Sequence, residues 1–371
     1  MGAGRVNEVS TVRTSPLDAQ HRALRARMVP FAGWVMPLQY KGIVEEHRAV
    51  RGRAGLFDVS HMGRLYVSGR DAAALLRRAV TYDVRRLRPG QGHYTLLCRK
   101  DGGILDDPYV YRLAEDRFLF IGNASNAERD REQVKRLVSA GMDVRVEDRQ
   151  ADTVMLALQG PESPAHLSRV LGEAIPDLPK RRCSEVVWRG DTVFVSRTGY
   201  TGEDGFELVA PAEAARGLWE RLVEGDVQPC GLGARDSLRL EAALALYGND
   251  IDESTNPWEA GLTWAVTLDD GDDFVGREAL LRAKELVERH LACMKAQEPG
   301  VMRAGYAILH GGQTVGRVTS GGYSPTLQVS IAMGYLPPEL AVEGTEVHVD
   351  VRGRALAAVV VPRPFYRRRD V

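Results

Sequence analysis

Apolar positions between residues 93 and 123 fall into short strand-like runs that are separated by turn residues. The runs HYTLLC, GGILDDPYVYR and RFLFIGN are divided by Gly102-Gly103 and by LAED, so they predict an antiparallel meander. The next segment, NAERDREQVKRLVSA, has the apolar spacing of an amphipathic helix. With no internal repeat, these elements predict an α+β fold.

Strands and helices also alternate in the second half of the chain. TVMLALQ and DTVFVSRTGYTGEDGFELVA predict strands, the latter with a glycine-rich turn between two of them. GLWERLVEG, ARDSLRLEAALALYG and REALLRAKELVERH predict helices. From about residue 285 the runs are strand-like with Gly and Pro turns, which predicts a small all-β domain. We therefore expect two regions, at 16–284 and 285–371.

The composition is that of an ordinary globular protein. Of 371 residues, 44% are hydrophobic and 27% charged, with a net charge of −1. A nucleic-acid-binding domain would be strongly basic, so we expect no nucleic-acid partner. The run Arg367-Arg368-Arg369 predicts a solvated tail, with contact to a phosphate or an acidic partner as the alternative. No apolar run reaches the ~20 residues of a membrane helix, and the first fifteen residues lack a signal core. We expect no membrane segment and a cytoplasmic protein.

Cysteine and histidine spacings argue against a metal site. Cys98, Cys183, Cys230 and Cys293 are scattered without a CxxC pair, which also argues against a disulfide framework and suits a reducing cytosol. Two G-x-G segments lack the third glycine of a dinucleotide fingerprint, and the HExxH, GxSxG and phosphate-loop motifs are absent. The sequence therefore predicts no metal, nucleotide or serine-hydrolase chemistry.

Two adjacent acids interrupt the run GGILDDPYVY. Neighbours on a strand face opposite sides, so Asp107 would share a face with Leu105 and Tyr109, and Asp106 would point away. A carboxylate among aromatic rings needs a donor, or its pKa rises. Pro108 cannot donate to a ladder, which predicts an edge or bulge where a functional side chain is redirected. A turn-proximal acid pair in water fits the spacing equally well.

Glu207 lies in DGFELVA, where both strand faces are apolar. A buried carboxylate there needs a partner that offers two N–H groups. The 2-amino-4-oxo edge of a pterin offers an N–H and an NH₂ side by side. An internal ion pair with Arg197 or Arg235 would satisfy it as well.

Two further segments combine glycines with polar side chains. In TGYTGEDG, glycines around Tyr200 permit close backbone approach, either to a ligand or within a plain hairpin turn. In GLGARDSLRLEA, Arg235 and Arg239 share a helix face. A cation in the first turn of a helix opposes the helix dipole, so Arg235 indicates an anionic partner, with a surface helix as the alternative.

Taken in order, these segments resemble the glycine cleavage T-protein family from Ser15 to Arg367. The similar segments are RMVPFAGWVMPLQY, GLFDVSHMG, GGILDD, GNASN, LALQGP, SRTGYTGEDGFEL, GLGARDSLRLEA, LYGNDIDESTNPWEAGLTWAV, DFVGREAL, VTSGGYSPTL and PFYRR. Most are weak singly, but in this order they are highly specific. The family fold implies two interleaved α+β subdomains in 16–284 that bind folate, and a C-terminal β-barrel or jelly-roll-like domain.

The resemblance also implies an activity. T-proteins take the aminomethyl group carried by lipoylated H-protein, release ammonia and form 5,10-methylenetetrahydrofolate, so tetrahydrofolate would be a co-substrate and H-protein a partner. By motif match, Asp107 would be the essential acid, without any metal. The residues that would contact folate or substrate are Asn123, Tyr200, Glu207, Arg235 and Tyr366.

Two departures and three rival interpretations accompany the resemblance. Pro108 replaces an aliphatic residue after the acid pair, and Gln328-Val329 replaces a Gly-Lys in the C-terminal domain.

The nearest rival is a tetrahydrofolate-dependent demethylase of a small methylated compound, which needs no H-protein. A non-enzymatic folate-binding protein of iron–sulfur assembly would carry a KGCYxGQE-like motif, whereas Thr198-Gly199-Tyr200 stands here. The chain leaves no room for the Rossmann domain of a flavin-oxidase fusion.

Overall fold

Most strand pairs are antiparallel, as short turn-separated runs predict. The structure is a computed structural model that describes residues 12–172, 178–269 and 271–368. The helices in this part of the chain are Asp18–Ala23 (α1), Ile43–Gly52 (α2), Ala72–Ala79 (α3), Ala127–Arg136 (α4), Ser163–Leu171 (α5), Ala212–Glu224 (α6), Leu232–Glu241 (α7) and Arg277–Ala283 (α8). Predictions for residues 1–11 and Arg369 lie outside the described residues.

The strands are short, and most lie in three sheets and a barrel. They are Arg13–Thr14 (β1), Arg27–Phe31 (β2), Trp34–Gln39 (β3), Gly55–Asp58 (β4), Gly63–Ser68 (β5), Gln91–Tyr94 (β6), Leu97–Cys98 (β7), Ile104–Asp106 (β8), Tyr109–Ala114 (β9), Arg117–Gly122 (β10), Arg145–Asp148 (β11), Thr153–Gln159 (β12), Cys183–Trp188 (β13), Asp191–Ser196 (β14), Gly205–Pro211 (β15), Gln228–Cys230 (β16), His290–Ala296 (β17), Ala307–His310 (β18), Gln313–Ser324 (β19), Val329–Leu336 (β20), Glu346–Val351 (β21) and Arg354–Val361 (β22). Strands β1, β3 and β2 form a small sheet of their own.

Two larger sheets carry the predicted site. The first has the order β11-β5-β10-β9-β6, and the second has the order β13-β14-β15-β12-β4-β16. Tyr111 and Leu119 of the first sheet share one buried cluster with Phe57, Met155 and Phe194 of the second. This shared apolar core fixes the two sheets against each other, so side chains from both meet at one place.

The C-terminal strands close into a barrel in the order β17-β20-β19-β18-β21-β22. Its interior is filled by buried apolar side chains such as Met294, Ile308, Val349 and Leu356. The predicted α+β fold with a C-terminal β-barrel is therefore confirmed. The boundary at 284/285 stays a prediction.

Two buried carboxylates join the barrel to the rest of the protein. Glu241, the last residue of α7, accepts hydrogen bonds from the hydroxyl of Ser324 and the backbone N–H of Thr326. Asp250 accepts from Ser320 Oγ at 2.8 Å and from Arg239 at 2.7 Å. Because both buried carboxylates are hydrogen-bonded, they fix how the barrel packs against the rest of the protein.

Three predicted elements differ from the structure. The predicted meander is interrupted, because β7 and β8 form a separate two-stranded ladder and Asp107 and Pro108 lie in no strand; Pro108 has no N–H to continue the ladder. Helix α7 ends at Glu241 rather than running to residue 248, because Ala243 adopts a left-handed φ of 51°. Helix α8 ends at Ala283, and His290, predicted as helical, begins β17.

Candidate functional site

Asp106 and Asp107 converge on one side chain, Asn123. The amide nitrogen Nδ2 of Asn123 donates to Asp106 Oδ1 at 2.8 Å and to Asp107 Oδ1 at 2.5 Å. The prediction that the two acids point in opposite directions is therefore wrong. Strict alternation holds only along a continuous strand, and β8 ends at Asp106, before Pro108.

The two acids have different surroundings. Asp106 is fully buried and also accepts from the backbone N–H of Asn123 at 2.9 Å and from the side-chain amide of Asn126. Asp107 is half-buried, and its Oδ2 accepts from the hydroxyl of Tyr94 at 2.8 Å. Of the two acids, Asp107 is therefore the one with accessible surface. It is also the acid that the resemblance implies is essential.

The electrostatic environment favours a proton on Asp107. Burial raises the pKa of Asp107 well above its usual range, the neighbouring charge of Asp106 raises it further, and the hydrogen bonds from Tyr94 and Asn123 oppose both effects. Burial and the charge of Asp107 also raise the pKa of Tyr94, which therefore stays a hydroxyl donor. Such a carboxyl group takes up a proton more readily than an ordinary aspartate does.

Tyr200 lies against the predicted cation, Arg235. Its hydroxyl donates to the backbone carbonyl of Ala245, which is free because α7 has already ended. The guanidinium of Arg235 lies 4.7 Å from the centroid of the Tyr200 ring. Burial raises the pKa of Tyr200, and the charge of Asp107 contributes in the same direction. Tyr200 therefore lies against Arg235 and within the electrostatic influence of Asp107.

Glu207 lies in the middle of the second sheet, where β15 pairs with β12 and β14. Its Oε2 accepts from the hydroxyl of Thr198 at 2.6 Å, and its side chain is half-buried. Thr198 is in turn hydrogen-bonded to the hydroxyls of Tyr111 and Ser196, each at 2.8 Å. A row of hydroxyls therefore positions this carboxylate.

Neither of the two arginines proposed as internal partners of Glu207 forms a hydrogen bond or ion pair with it in the described part of the chain. Arg197 pairs with both carboxylate oxygens of Asp204, at 2.9 and 2.6 Å, so it is not the partner of Glu207. Arg235 forms no side-chain hydrogen bond or ion pair with any residue that the structure describes. Burial lowers the pKa of its guanidinium, and the charge of Glu207 opposes that shift. A half-buried anion and a half-buried cation thus face the same region, each with hydrogen-bonding capacity left.

Tyr366 is placed apart from the other five predicted residues. Its ring stacks on the guanidinium of Arg51, 4.0 Å from centroid to carbon, and Arg51 pairs with Glu203 and Glu241 at 2.9 Å each. A cavity of about 550 Å³ lies there, lined by Arg51, Glu203, Thr326, Phe365, Tyr366 and Arg368. In the described part of the chain, no hydrogen bond or ring contact joins Tyr366 to Asp107, Asn123, Tyr200, Glu207 or Arg235.

Two aromatic residues at the site were not predicted. Tyr94 donates to Asp107, and its ring lies 5.1 Å from that of Trp264 at an interplanar angle of 30°. Trp264 is 53% exposed, which is unusual for so large an apolar side chain. Both lie in runs that the sequence analysis assigned to secondary structure or family resemblance alone. No local sequence signal places either of them beside Asp107, because the contact depends on how distant strands pair.

Neither a metal centre nor a membrane segment is indicated by the described residues. In this part of the chain, His, Cys, Asp and Glu side chains form no group of three or more that could hold a metal ion. Within residues 12–172, 178–269 and 271–368, none of the helices combines the length and apolar character needed to cross a membrane.

Sequence and structure comparisons find the same family over nearly the whole chain. Residues 17–270 match the sequence model of the GCVT N-terminal domain, and residues 289–367 match that of the glycine cleavage T-protein C-terminal barrel domain. Aminomethyltransferase from Synechococcus sp. is 47% identical over 356 residues, which cover 96% of this chain and 99% of the relative. Aminomethyltransferase from Symbiobacterium thermophilum is 47% identical, with 96% and 98% covered.

A solved structure is similar in fold and sequence. The glycine cleavage system aminomethyltransferase T from Bartonella henselae superposes with a TM-score of 0.90 at 40% identity. The similarity covers 96% of this chain and 98% of the Bartonella chain.

Proposed function

Because the chain belongs to the glycine cleavage T-protein family, we propose that it is the aminomethyltransferase of that system, with Asp107 as its catalytic carboxylate. It transfers the methylene carbon from aminomethyl-lipoyl H-protein to tetrahydrofolate and releases ammonia. The observation that supports the site assignment is the half-buried Asp107 carboxylate, whose two oxygens are held by Tyr94 and Asn123.

The described residues fit tetrahydrofolate as the co-substrate. Glu207 has one carboxylate oxygen held by Thr198 and remains half-buried, so it can accept from the paired N–H groups of a pterin edge. Arg235 has all its guanidinium N–H groups without a described protein acceptor, so it can donate to the oxygen of the same ring. Tyr200, whose ring lies against Arg235, and Trp264, whose ring lies against that of Tyr94, offer flat aromatic surfaces.

When bound, tetrahydrofolate supplies the amine nitrogens that accept the one-carbon unit. The protein mainly positions the reactants, because the transfer needs no covalent enzyme intermediate. Ionised Asp107 stabilises positive charge on the departing amine, and its raised pKa allows its carboxylate to take up a proton during transfer. Tyr94 and Asn123 hold the two oxygens of Asp107 so that its orientation does not change.

H-protein as the partner and the cytoplasm as the location belong to the same proposal. The four cysteines are free and buried, which suits a reducing compartment. A coupled assay with aminomethylated H-protein and tetrahydrofolate, read as methylenetetrahydrofolate formed, tests the whole assignment. Turnover of a small methylated compound in place of H-protein would support the demethylase alternative.

A further inference from the structure

A third acid, Asp130, lies behind the pair formed by Asp106 and Asp107. It belongs to the first turn of α4 and is 1% exposed. Neither of its carboxyl oxygens has a hydrogen-bond donor among the described residues. A charged carboxylate in such a place would lack both water and a partner.

The carboxyl group of Asp130 is directed toward that of Asp106. Both reach the space over Gly122, the last residue of β10. A Cβ atom at Gly122 would lie 2.5 Å from Asp130 Oδ2 and 2.9 Å from Asp106 Oδ2. Only glycine leaves room there for the two carboxyl groups to meet.

The donors around the two groups show which one is charged. Asp106 accepts from three N–H groups, two of Asn123 and one of Asn126, whereas Asp130 has none. Two carboxylates in contact away from water cannot both be ionised, so one of them keeps a proton. With its donors, Asp106 is the stable anion, and Asp130 is the neutral acid that can donate its own O–H to Asp106.

The charged groups that face Asp130 are consistent with this assignment. They are Asp106 and Asp107 from the adjoining segment and Arg129 from its own helix. Burial raises the pKa of Asp130 well above its usual range, and Asp106 raises it further. Arg129 is directed elsewhere, since its guanidinium donates to Asn126 Oδ1, the Tyr247 hydroxyl, Glu253 and the Leu105 carbonyl.

We propose that Asp130 is a positioning residue for Asp107: as a neutral acid it donates to the Asp106 carboxylate and so fixes Asn123 between the two acids. This proposal rests on the proposed function, in which Asp107 is the catalytic carboxylate. Asn123 directs one Nδ2 hydrogen to each acid. If Asp106 loses the Asp130 donor, it turns or takes a proton, and Asn123 no longer holds Asp107 Oδ1 in one orientation.

The first test measures the proton directly and needs no substrate. Infrared spectra of the resting protein at neutral pH are taken in the Asp107→Asn background, so that Asp107 contributes nothing. We expect the carbonyl band of a buried protonated carboxylic acid, lost on adding Asp130→Asn and retained on adding Asp116→Asn, which changes an exposed turn residue. A missing band, or one that survives Asp130→Asn, would overturn the proposal whatever reaction the protein catalyses.

The second test separates positioning from stability. Asp130→Asn keeps a neutral donor toward Asp106, so its kcat should stay within about threefold of the wild-type value. Asp130→Leu has a similar size but no donor, so its kcat should fall about tenfold or more, with the KM for tetrahydrofolate changed less than about threefold. Equal kcat values for the two variants would contradict the positioning role. If Asp130→Leu does not fold, the infrared result with Asp130→Asn still decides the question, and an inactive wild type would refute only the proposed function.

Discussion

Glu207 and Arg235 face the same space without touching each other. The carboxylate of Glu207 is hydrogen-bonded to Thr198, whereas the guanidinium of Arg235 lies over the ring of Tyr200. The charge of Glu207 opposes the loss of charge that burial imposes on Arg235. An anion and a cation held apart by other contacts offer an acceptor and a donor to a polar ring that lies between them.

Glu207→Gln should weaken tetrahydrofolate binding. Loss of a charge-assisted hydrogen-bond pair costs about 1.5–3 kcal/mol, or roughly 10- to 150-fold in Kd. Titration calorimetry measures this, with Glu185→Gln as a control, because Glu185 lies in the same sheet but pairs with Arg117. Unchanged affinity in a folded Glu207→Gln protein would assign Glu207 to the hydroxyl network alone.

Free aminomethyl-lipoamide should be a much poorer substrate than the aminomethylated H-protein. A folded partner that docks on the surface supplies binding energy that places its lipoyl arm, and a free amide lacks it. We expect kcat/KM for the amide to be lower by about 100-fold or more, measured as methylenetetrahydrofolate formed. Similar kcat/KM values for both would favour the demethylase of a small compound.

The sequence named candidate site residues but not their geometry. Motif order proposed Asp107, Asn123, Tyr200 and Arg235; the structure shows contacts between Asp107 and Asn123 and between Tyr200 and Arg235, and the roles of all four stay predictions. Pro108 indicated an interruption, but period-two reasoning assumes an unbroken strand and so separated two acids that in fact converge.

Contacts between distant segments could not be read from the sequence. Tyr94 reaches Asp107 because β6 and β9 pair in a particular register, which short apolar runs do not specify. The pairing of Arg197 with Asp204 rather than Glu207 depends on the loop between β14 and β15. Tyr366 lies on Arg51 because the C-terminal segment folds back against α2, a packing that no local pattern encodes.

Glu241→Gln should remove a pH-dependent part of the stability. Burial alone would raise the pKa of Glu241, but hydrogen bonds from His47 and Ser324 and the charge of Arg51 lower it from 4.5 to about 2. The stabilisation is therefore complete above the unfolded value of 4.5 and is lost as the pH falls toward 2. It is worth on the order of 3 kcal/mol of folding free energy.

Urea unfolding of wild type and Glu241→Gln at several pH values tests this. The difference in unfolding free energy should be constant above about pH 5 and shrink as the pH is lowered. Glu343→Gln, which changes an exposed residue of the barrel domain, should show no such difference. A gap between wild type and Glu241→Gln that is independent of pH would show that the Glu241 contacts act without its charge.

Asp107→Asn should leave folate binding intact within about threefold and reduce kcat by about 100-fold or more, the usual range for a positioned acid–base or electrostatic group. Asp106→Asn should reduce kcat less, because Asp106 is fully buried and acts on substrate only through Asn123. Steady-state kinetics of the two single variants measure this difference in kcat, since each variant replaces one carboxylate by an amide of similar size. A severely impaired Asp106→Asn beside a nearly normal Asp107→Asn would reverse the assignment.

Tyr94→Phe should shift the pH dependence of turnover in a direction that the site fixes. Burial and Asp106 raise the pKa of Asp107, whereas the Tyr94 hydrogen bond lowers it, so removal of the hydroxyl raises this pKa further. Turnover that needs ionised Asp107 is present above its pKa and lost as the pH falls through it. The acid limb of kcat against pH should therefore move to higher pH in Tyr94→Phe and to lower pH in Asp106→Asn, which removes a neighbouring negative charge.

Tyr323→Phe, which changes an exposed barrel residue, serves as the control and should leave the profile unchanged. Shifts of Tyr94→Phe and Asp106→Asn in the same direction would mean that the limb reports another group than Asp107.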